Sequence, residues 1–184
     1  MIAISPWSDR SLPELAYLAL GSNLGDRVAH LRAAREGIER WPETVVVGRS
    51  RVYETAPIGA PGQGPYLNQV LAVRTNLSPK TVLFEAKRLE TERKRPAFSP
   101  VKWDSRTLDV DLLFYGEQVM DSQELTVPHP RLHERSFVLS PLAELAPDLR
   151  HPVLSKTIKE MSLAVGSEGL IGVFNEASAT EARR

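Results

Sequence analysis

Hydrophobic positions divide the first two thirds of the chain into strands and helices. Apolar residues at every second position predict strands, and apolar residues three or four positions apart predict helices. Asp26 is a good N-cap for the first helix, Pro42 ends that helix after Trp41, and Ser78-Pro79 opens the second. The predicted elements are a strand at 16–20, a helix at 26–41, strands at 44–55 and 66–75, a helix at 79–92 and a strand at 106–115.

The last predicted strand has two unlike faces. Because side chains alternate along a strand, Asp109 and Asp111 lie together on one face. The opposite face is apolar and consists of Leu108, Val110, Leu112 and Phe114. Two neighbouring carboxylates suit Mg²⁺, which prefers oxygen ligands and is often bound by one or two carboxylates plus substrate phosphates. An edge strand whose charges discourage pairing with another sheet is the alternative, and the strand alone leaves both open.

The element order β-α-β-β-α-β predicts an α+β fold of the ferredoxin-like kind, with an antiparallel sheet and two helices packed on one face. In that topology the first and third strands are central, and the Asp strand lies beside the first. A small hairpin ending at Val127 and helices at 136–146 and 152–165 follow. We expect a loose arm at 1–14, one domain at 15–165 and a poorly ordered tail at 166–184.

Composition narrows the class of protein. The chain has 184 residues and no cysteine, which excludes disulfides and thiolate metal sites and fits a cytoplasmic protein. The opening residues lack the pattern of a secretory signal, and no apolar run approaches the length of a membrane span. Lys plus Arg and Asp plus Glu are 23 each, which argues against a nucleic-acid binder.

A basic segment leads into the Asp strand. The predicted loop at 94–105 carries Arg95, Lys102 and Trp103, and Arg106 follows at its exit. Long loops in compact domains are usually functional or disordered, and arginine forks bind phosphates bidentately. The segment therefore predicts either a lid that closes over a polyphosphate or a solvated, mobile basic loop.

Two further groups of residues have candidate chemistry. His129 is held between two prolines with Arg131 and Arg135 nearby, which suits phosphate contact or proton transfer, although a plain surface histidine is the alternative. Tyr66, Trp103 and Phe137 could stack on a flat ligand or simply pack. Asn68 shares a strand face with Tyr66. Neither a G-x-x-x-x-G-K-[ST] loop nor a G-x-G-x-x-G fingerprint is present.

Five motifs in order resemble 6-hydroxymethyl-7,8-dihydropterin pyrophosphokinase, a family of folate biosynthesis. They are A-Y-L-A-L-G-S-N-L-G-D near the start, Y-E-T-A-P-I-G, G-P-Y-L-N, W-D-S-R-T-L-D-V-D-L-L and L-T-V-P-H-P-R-L-H-E-R-S-F-V-L. The resemblance covers roughly residues 16–165. It implies three αβα layers and transfer of the β,γ-pyrophosphate of ATP to the pterin's hydroxymethyl oxygen, releasing AMP. It also implies ATP and the pterin as partners, two Mg²⁺ ions, no nucleic acid and no membrane. We expect a monomer, with a dimer left open.

The resemblance also implies roles for individual residues. Asp109 and Asp111 would bind Mg²⁺ and, with Arg95 and Arg106, make up the catalytic set. The ATP contacts would be Glu90, Trp103, Arg106, His129 and Arg135. The pterin contacts would be Gly21, Thr55, Ala56, Ile58, Tyr66, Asn68, Trp103 and Phe137, with Tyr66 and Phe137 as the walls of a slot.

The chain departs from the family pattern in the predicted lid. Asp104-Ser105 stand where Gly-Pro is usual, Lys94 stands where Gly is usual, and Ala56 replaces a common Pro. Two other readings remain open on the same fold. An RNA-binding module would need the K/R-G-F/Y pattern, which is missing. The presence of both aspartates and His129 argues against an inactive scaffold.

Overall fold

The computed structural model describes residues 12–57, 62–93 and 107–177. Predictions for 1–11, Ile58, the segment 94–106 with Arg95, Trp103 and Arg106, and 178–184 lie outside these ranges. The elements in chain order are β1 (Glu14–Ser22), α1 (Arg27–Glu39), β2 (Thr44–Arg49), β3 (Tyr53–Thr55), β4 (Tyr66–Thr75), α2 (Pro79–Glu92), β5 (Asp109–Tyr115), β6 (Met120–Asp121), β7 (Thr126–Val127), α3 (Ser136–Leu145), α4 (Ile158–Val165) and β8 (Leu170–Val173).

The strands form an antiparallel sheet with β1 and β4 at its centre. Its order is β5-β1-β4-β3-β8, and β2 pairs with a second stretch of β4. The prediction that the Asp strand lies beside the first strand at the sheet margin is confirmed. A small separate sheet joins β6 and β7, as the predicted hairpin requires.

The single strand predicted at 44–55 is wrong, because the chain leaves the ladder at Ser50. The Ser50 hydroxyl accepts a hydrogen bond from the Val70 amide at 2.9 Å, and the Ser50 carbonyl accepts one from Gln69 Nε2 at 2.8 Å. Ser50 thus supplies hydrogen-bond acceptors to Gln69 and Val70 of β4 between the end of β2 and the start of β3. The short β3 is left free to carry Thr55 to the end of the sheet.

Helices cover both faces of the sheet. One core cluster draws its helical residues from α1 and α2, and the other draws them from α3 and α4. Both predicted N-caps are confirmed, since Asp26 accepts from the Ala29 amide and Ser78 from the Thr81 amide. No helix among the described residues is long and apolar enough to cross a membrane.

The last predicted helix begins later than expected. It starts at Ile158 rather than 152, because Thr157 caps it in a reciprocal pair with Glu160. The residues before it form a turn held by His151, whose Nδ1 accepts the amides of Val153 and Leu154 at 3.3 and 3.2 Å. His151 is buried and its ring meets Phe114 edge-on.

A register shift between β1 and β5 changes the face of Phe114. Leu18 pairs with Leu112, whereas Tyr17 pairs with Phe114, so Leu113 is an extra residue in the ladder. Alternation reverses beyond it, as at a β-bulge. Phe114 therefore packs in the second cluster, and the prediction that it shares a face with Val110 is wrong.

The segment after α4 is also ordered in part. The prediction of a loose tail is wrong for Leu170–Val173, because β8 pairs antiparallel with β3. The Phe174 amide continues this pairing by donating to the Val52 carbonyl at 2.8 Å. Phe174 packs against the first core cluster.

Candidate active site

A cavity on the α3 side of the sheet brings several predicted residues together. Its lining includes Gly21, Asn68, Asp109, Asp111 and Phe137. The strands dictate this meeting, because Gly21 of β1 pairs with Asn68 of β4 on one side and with Asp109 of β5 on the other. Three strands thus bring a glycine, an amide and a carboxylate side by side.

Gly21 keeps the floor of this cavity open. A Cβ at this position would lie 3.3 Å from Asn68 Oδ1 and 4.0 Å from Asp109 Cβ. The first distance is tighter than ordinary packing, so a side chain here would push the Asn68 amide. The space at this position therefore favours glycine, which fits the pterin contact that the resemblance implies for Gly21.

Thr55 and Asn68 form a buried polar edge. Asn68 Nδ2 donates to Thr55 Oγ1 at 2.8 Å, and both residues are buried. This bond orients the amide, which has two donor hydrogens and a carbonyl acceptor in all. Tyr66 precedes Asn68 by two residues and pairs with Thr55, but it is not part of the lining of the cavity among the described residues.

Two basic side chains face Asp111. Arg135 Nη1 lies 3.7 Å and His129 Nε2 lies 3.8 Å from Asp111 Oδ2. Both distances exceed those of direct hydrogen bonds. The Arg135 charge attracts Asp111 across this gap. The Arg135 guanidinium also lies 5.6 Å from the centre of the Phe137 ring, a cation–π arrangement that fixes both side chains.

His129 is held as a neutral donor. Burial, together with the charge of Arg135, lowers the pKa of His129 to about 4. Its Nδ1 accepts the Arg131 amide at 3.2 Å, so we assign the proton to Nε2, the nitrogen that faces Asp111. The His129 amide donates to the Leu113 carbonyl at 2.9 Å, which ties this loop to β5.

Glu90, which the resemblance implies is an ATP contact, has a backbone partner in β5 that the sequence did not predict. It is 1% exposed, and its Oε1 accepts the Val110 amide at 2.9 Å. Val110 lies between Asp109 and Asp111, so this carboxylate bonds the outer edge of the strand that carries them. Glu90 follows Val82 and Ala86 at intervals of four, so the inward face of α2 was visible in the sequence.

A second pocket lies on the other side of Asp111, between α2, β5 and the hairpin. Its lining includes Leu83, Asp111, Leu112, Thr126 and His129. Sequence reasoning missed this pocket, because it depends on the way the hairpin folds against β5 rather than on a motif. Asp111 lines both pockets and therefore lies at their junction.

The residues present fit a divalent cation whose coordination is completed by substrate oxygens. Asp109 and Asp111 offer two carboxylates beside an open cavity. Among residues 12–57, 62–93 and 107–177 no cluster of three or more His, Asp or Glu could hold a metal. A Mg²⁺ ion bound here would need oxygen ligands from water or substrate phosphates, which is its usual habit in phosphoryl-transfer sites.

Comparison with known proteins identifies the family. The sequence model described as "7,8-dihydro-6-hydroxymethylpterin-pyrophosphokinase (HPPK)" matches residues 17–147. The 2-amino-4-hydroxy-6-hydroxymethyldihydropteridine pyrophosphokinase of Pseudomonas aeruginosa is 42% identical over 154 residues, which are 84% of this chain and 93% of that protein. The enzyme of the same name from Haemophilus influenzae is 39% identical over 150 residues, covering 80% and 92%.

A solved structure supports the fold independently. Wild-type Plasmodium falciparum HPPK-DHPS is similar with a TM-score of 0.66 at 16% identity, over 86% of this chain and 46% of that chain. At this identity the similarity concerns the fold alone. The family match spans β1 to α3, which includes every described residue that lines the two pockets. The chain belongs to the 7,8-dihydro-6-hydroxymethylpterin-pyrophosphokinase family.

Proposed function

We propose that this protein transfers the β,γ-pyrophosphate of ATP to the hydroxymethyl oxygen of 6-hydroxymethyl-7,8-dihydropterin, releasing AMP, in folate biosynthesis. The observation that carries the proposal is the position of Asp111 at the junction of two pockets. One pocket has the polar and aromatic groups that suit a heteroaromatic ring. The other runs along the hairpin and ends at His129 and Asp111, where phosphates would meet the imidazole N–H and the nearby Arg135 guanidinium.

The pterin binds in the cavity between Phe137 and the Thr55–Asn68 edge. A pterin ring presents donors and acceptors along one edge, which the oriented Asn68 amide matches. Phe137 supplies one stacking wall, and Tyr66 supplies the second by moving in when the ring binds. The backbone at Ala56 and Ile58 completes the edge. The aromatic walls give affinity, and the polar edge selects the ring because unpaired buried polar groups are costly.

ATP binds in the second pocket, with its phosphates directed toward β5. Leu83 and Leu112 provide apolar surface for the adenine. His129 donates from Nε2 to a phosphate oxygen, and Arg135 adds a charged fork at the same place. Because the pKa of His129 is low, this donor keeps one proton at neutral pH and does not compete for the proton released by the pterin hydroxyl.

Asp109 and Asp111 would hold two Mg²⁺ ions together with the ATP phosphates. The chemistry that bound Mg²⁺ would supply is neutralisation of phosphate charge. The chain contributes a rigid platform, since Glu90 bonds the backbone of β5 on its outer edge. The role of Glu90 is thus to position β5, and this role does not require a direct contact with ATP. Arg135 offsets the negative charge that develops during transfer.

The remaining assignments extend this proposal. Arg95, Arg106 and Trp103 form the lid that clamps the phosphates and excludes water. The core is ferredoxin-like with three αβα layers, which the strand order β5-β1-β4-β3 supports. The protein acts as a monomer in the cytoplasm.

Product analysis tests the proposal. The protein is incubated with ATP, Mg²⁺ and the hydroxymethyl dihydropterin, and nucleotides are separated by chromatography. We expect AMP and the pterin pyrophosphate in equal amounts, and no AMP when the pterin is omitted. Formation of ADP, or AMP formation that does not depend on the pterin, contradicts the proposal.

A further inference from the structure

One segment of chain forms hydrogen bonds to residues next to Phe137 and next to Thr55, on two sides of the proposed pterin site. This segment, residues 168–176, contains β8 and is called the C-terminal strap below. It lies beyond residue 147, where the family match ends. Its position on β3 makes it the outermost strand of the sheet at that margin.

Two consecutive carbonyls of the strap bind residues next to Phe137 and next to Thr55. The Glu168 carbonyl accepts the hydroxyl of buried Ser136 at 2.7 Å, next to Phe137 in α3. The Gly169 carbonyl accepts the Ala56 amide at 2.7 Å, next to Thr55 at the end of β3. Two neighbouring residues, Glu168 and Gly169, therefore connect the start of α3, next to Phe137, with the end of β3, next to Thr55.

The strap is anchored further along by packing and charge. Phe174 packs on the first core cluster, and the Arg27 guanidinium lies 5.9 Å from the centre of its ring. Glu176 pairs with Arg35 at 2.9 Å, and Arg35 also donates to Gln69 Oε1 at 3.0 Å. Gln69 is buried and lines the cavity itself. Together with the bonds of Glu168 and Gly169, these contacts hold the strap at both of its ends.

We propose that the C-terminal strap is a positioning element that sets the separation between Phe137 and the Thr55–Asn68 edge, and thereby the affinity for the pterin. The inference rests on the pterin site proposed above. β3 is only three residues long, so the ladder with β4 alone gives its end little support. The N-terminus of α3 likewise has no side-chain cap, and the Ser136–Glu168 bond is the link that holds it to the strap.

The test uses single variants of the full chain and compares the two substrates. Ser136→Ala removes the link to the aromatic wall, and Phe174→Ala loosens the strap on the β3 side. Thr157→Ala is the control, because it removes a comparable hydroxyl bond at the cap of α4, away from the cavity. Asn68→Ala is the reference for the pterin site itself. Each protein is measured for KM with either substrate, kcat and thermal midpoint.

We expect Ser136→Ala to raise KM for the pterin about fivefold, the equivalent of one net hydrogen bond, while KM for ATP stays within about twofold. Phe174→Ala should raise KM for the pterin by a similar factor through the loss of apolar packing. Thr157→Ala should lower the thermal midpoint without changing KM for the pterin. An unchanged KM for the pterin in both strap variants, with Asn68→Ala still impaired, overturns the strap inference. The inference is also overturned if the strap variants raise KM for the pterin and KM for ATP equally and Thr157→Ala does the same. Such a result would indicate a general loss of stability. An unimpaired Asn68→Ala refutes the pterin site, and the strap inference with it.

Discussion

Replacing Glu90 probes the support of β5, the strand proposed to bind Mg²⁺, without changing the lining of either pocket. β5 is an edge strand, and its Val110 amide points away from β1 to Glu90 Oε1 at 2.9 Å. Glu90 Oε2 lies 3.3 Å from Lys87 Nζ at the surface. Glu90→Ala therefore leaves a buried donor without its acceptor, whereas Glu90→Gln retains an acceptor oxygen.

The structure sets the size of each effect. An unsatisfied buried amide costs about 1–3 kcal/mol, and the lost side-chain packing adds roughly 1 kcal/mol. We thus expect Glu90→Ala to lower the free energy of unfolding by about 2–4 kcal/mol. Glu90→Gln should cost about 1 kcal/mol, since it keeps an acceptor oxygen for the Val110 amide and the Lys87 ammonium is half-exposed to solvent. Because β5 carries both aspartates, a displacement near 1 Å in Glu90→Ala should lower kcat by about 100-fold.

Urea unfolding and steady-state AMP formation measure the two effects. Glu92→Ala is the matched control, because it removes a half-exposed carboxylate from the same helix. We expect that control to change stability by less than about 0.5 kcal/mol and to leave kcat unchanged. Wild-type kcat in Glu90→Ala, despite a lower free energy of unfolding, would refute the idea that Glu90 positions Asp109 and Asp111.

Three further predictions address other parts of the molecule. Arg135→Lys should lower kcat/KM for ATP about tenfold, because lysine lacks the planar fork, and an unchanged value would exclude bidentate phosphate contact. Gly37→Ala should lower the urea midpoint despite the better helix propensity of alanine, because a Cβ there would overlap Leu89, and equal or higher stability would contradict this packing. Burial lowers the pKa of His151, so below about pH 6.5 the unfolded chain binds a proton at this site more readily than the folded chain. The free energy of unfolding should therefore decrease as the pH is lowered. His151→Asn keeps an acceptor for the loop amides without titrating, so its thermal midpoint should fall less between about pH 6.5 and 4.5, and an equally steep fall would contradict the assignment.

Local patterns predicted the elements but not every pairing. Alternation in β5 and the capping residues Asp26 and Ser78 were visible because their chemistry acts within a few residues. The break at Ser50 was not, since it depends on bonds to Gln69 and Val70 of another strand. The bulge at Leu113 escaped for the same reason, because it arises from the register with β1.

The candidate site divides along similar lines. The motifs named Gly21, Asn68, Asp109, Asp111 and Phe137, and the structure brings all five to one cavity. The motifs could not indicate the second pocket or the strap. Both depend on how distant segments pack, and the strap residues themselves form a short strand in a sequence rich in glycine. The lid residues lie outside the described ranges, so their roles stay predictions.

The most direct test of the account replaces the two carboxylates. Asp109→Asn and Asp111→Asn keep the shape of each side chain and remove its charge, and AMP formation is measured across a range of Mg²⁺ concentrations beside the thermal midpoint. We predict a loss of kcat of about 1,000-fold or more in each variant. Asp109→Asn should leave the midpoint unchanged or raise it, because repulsion between neighbouring carboxylates is relieved, whereas Asp111→Asn should lower it somewhat, because Arg135 loses the charge it faces. Near wild-type turnover with wild-type dependence on Mg²⁺ in either variant would contradict the claim that this pair holds the metal.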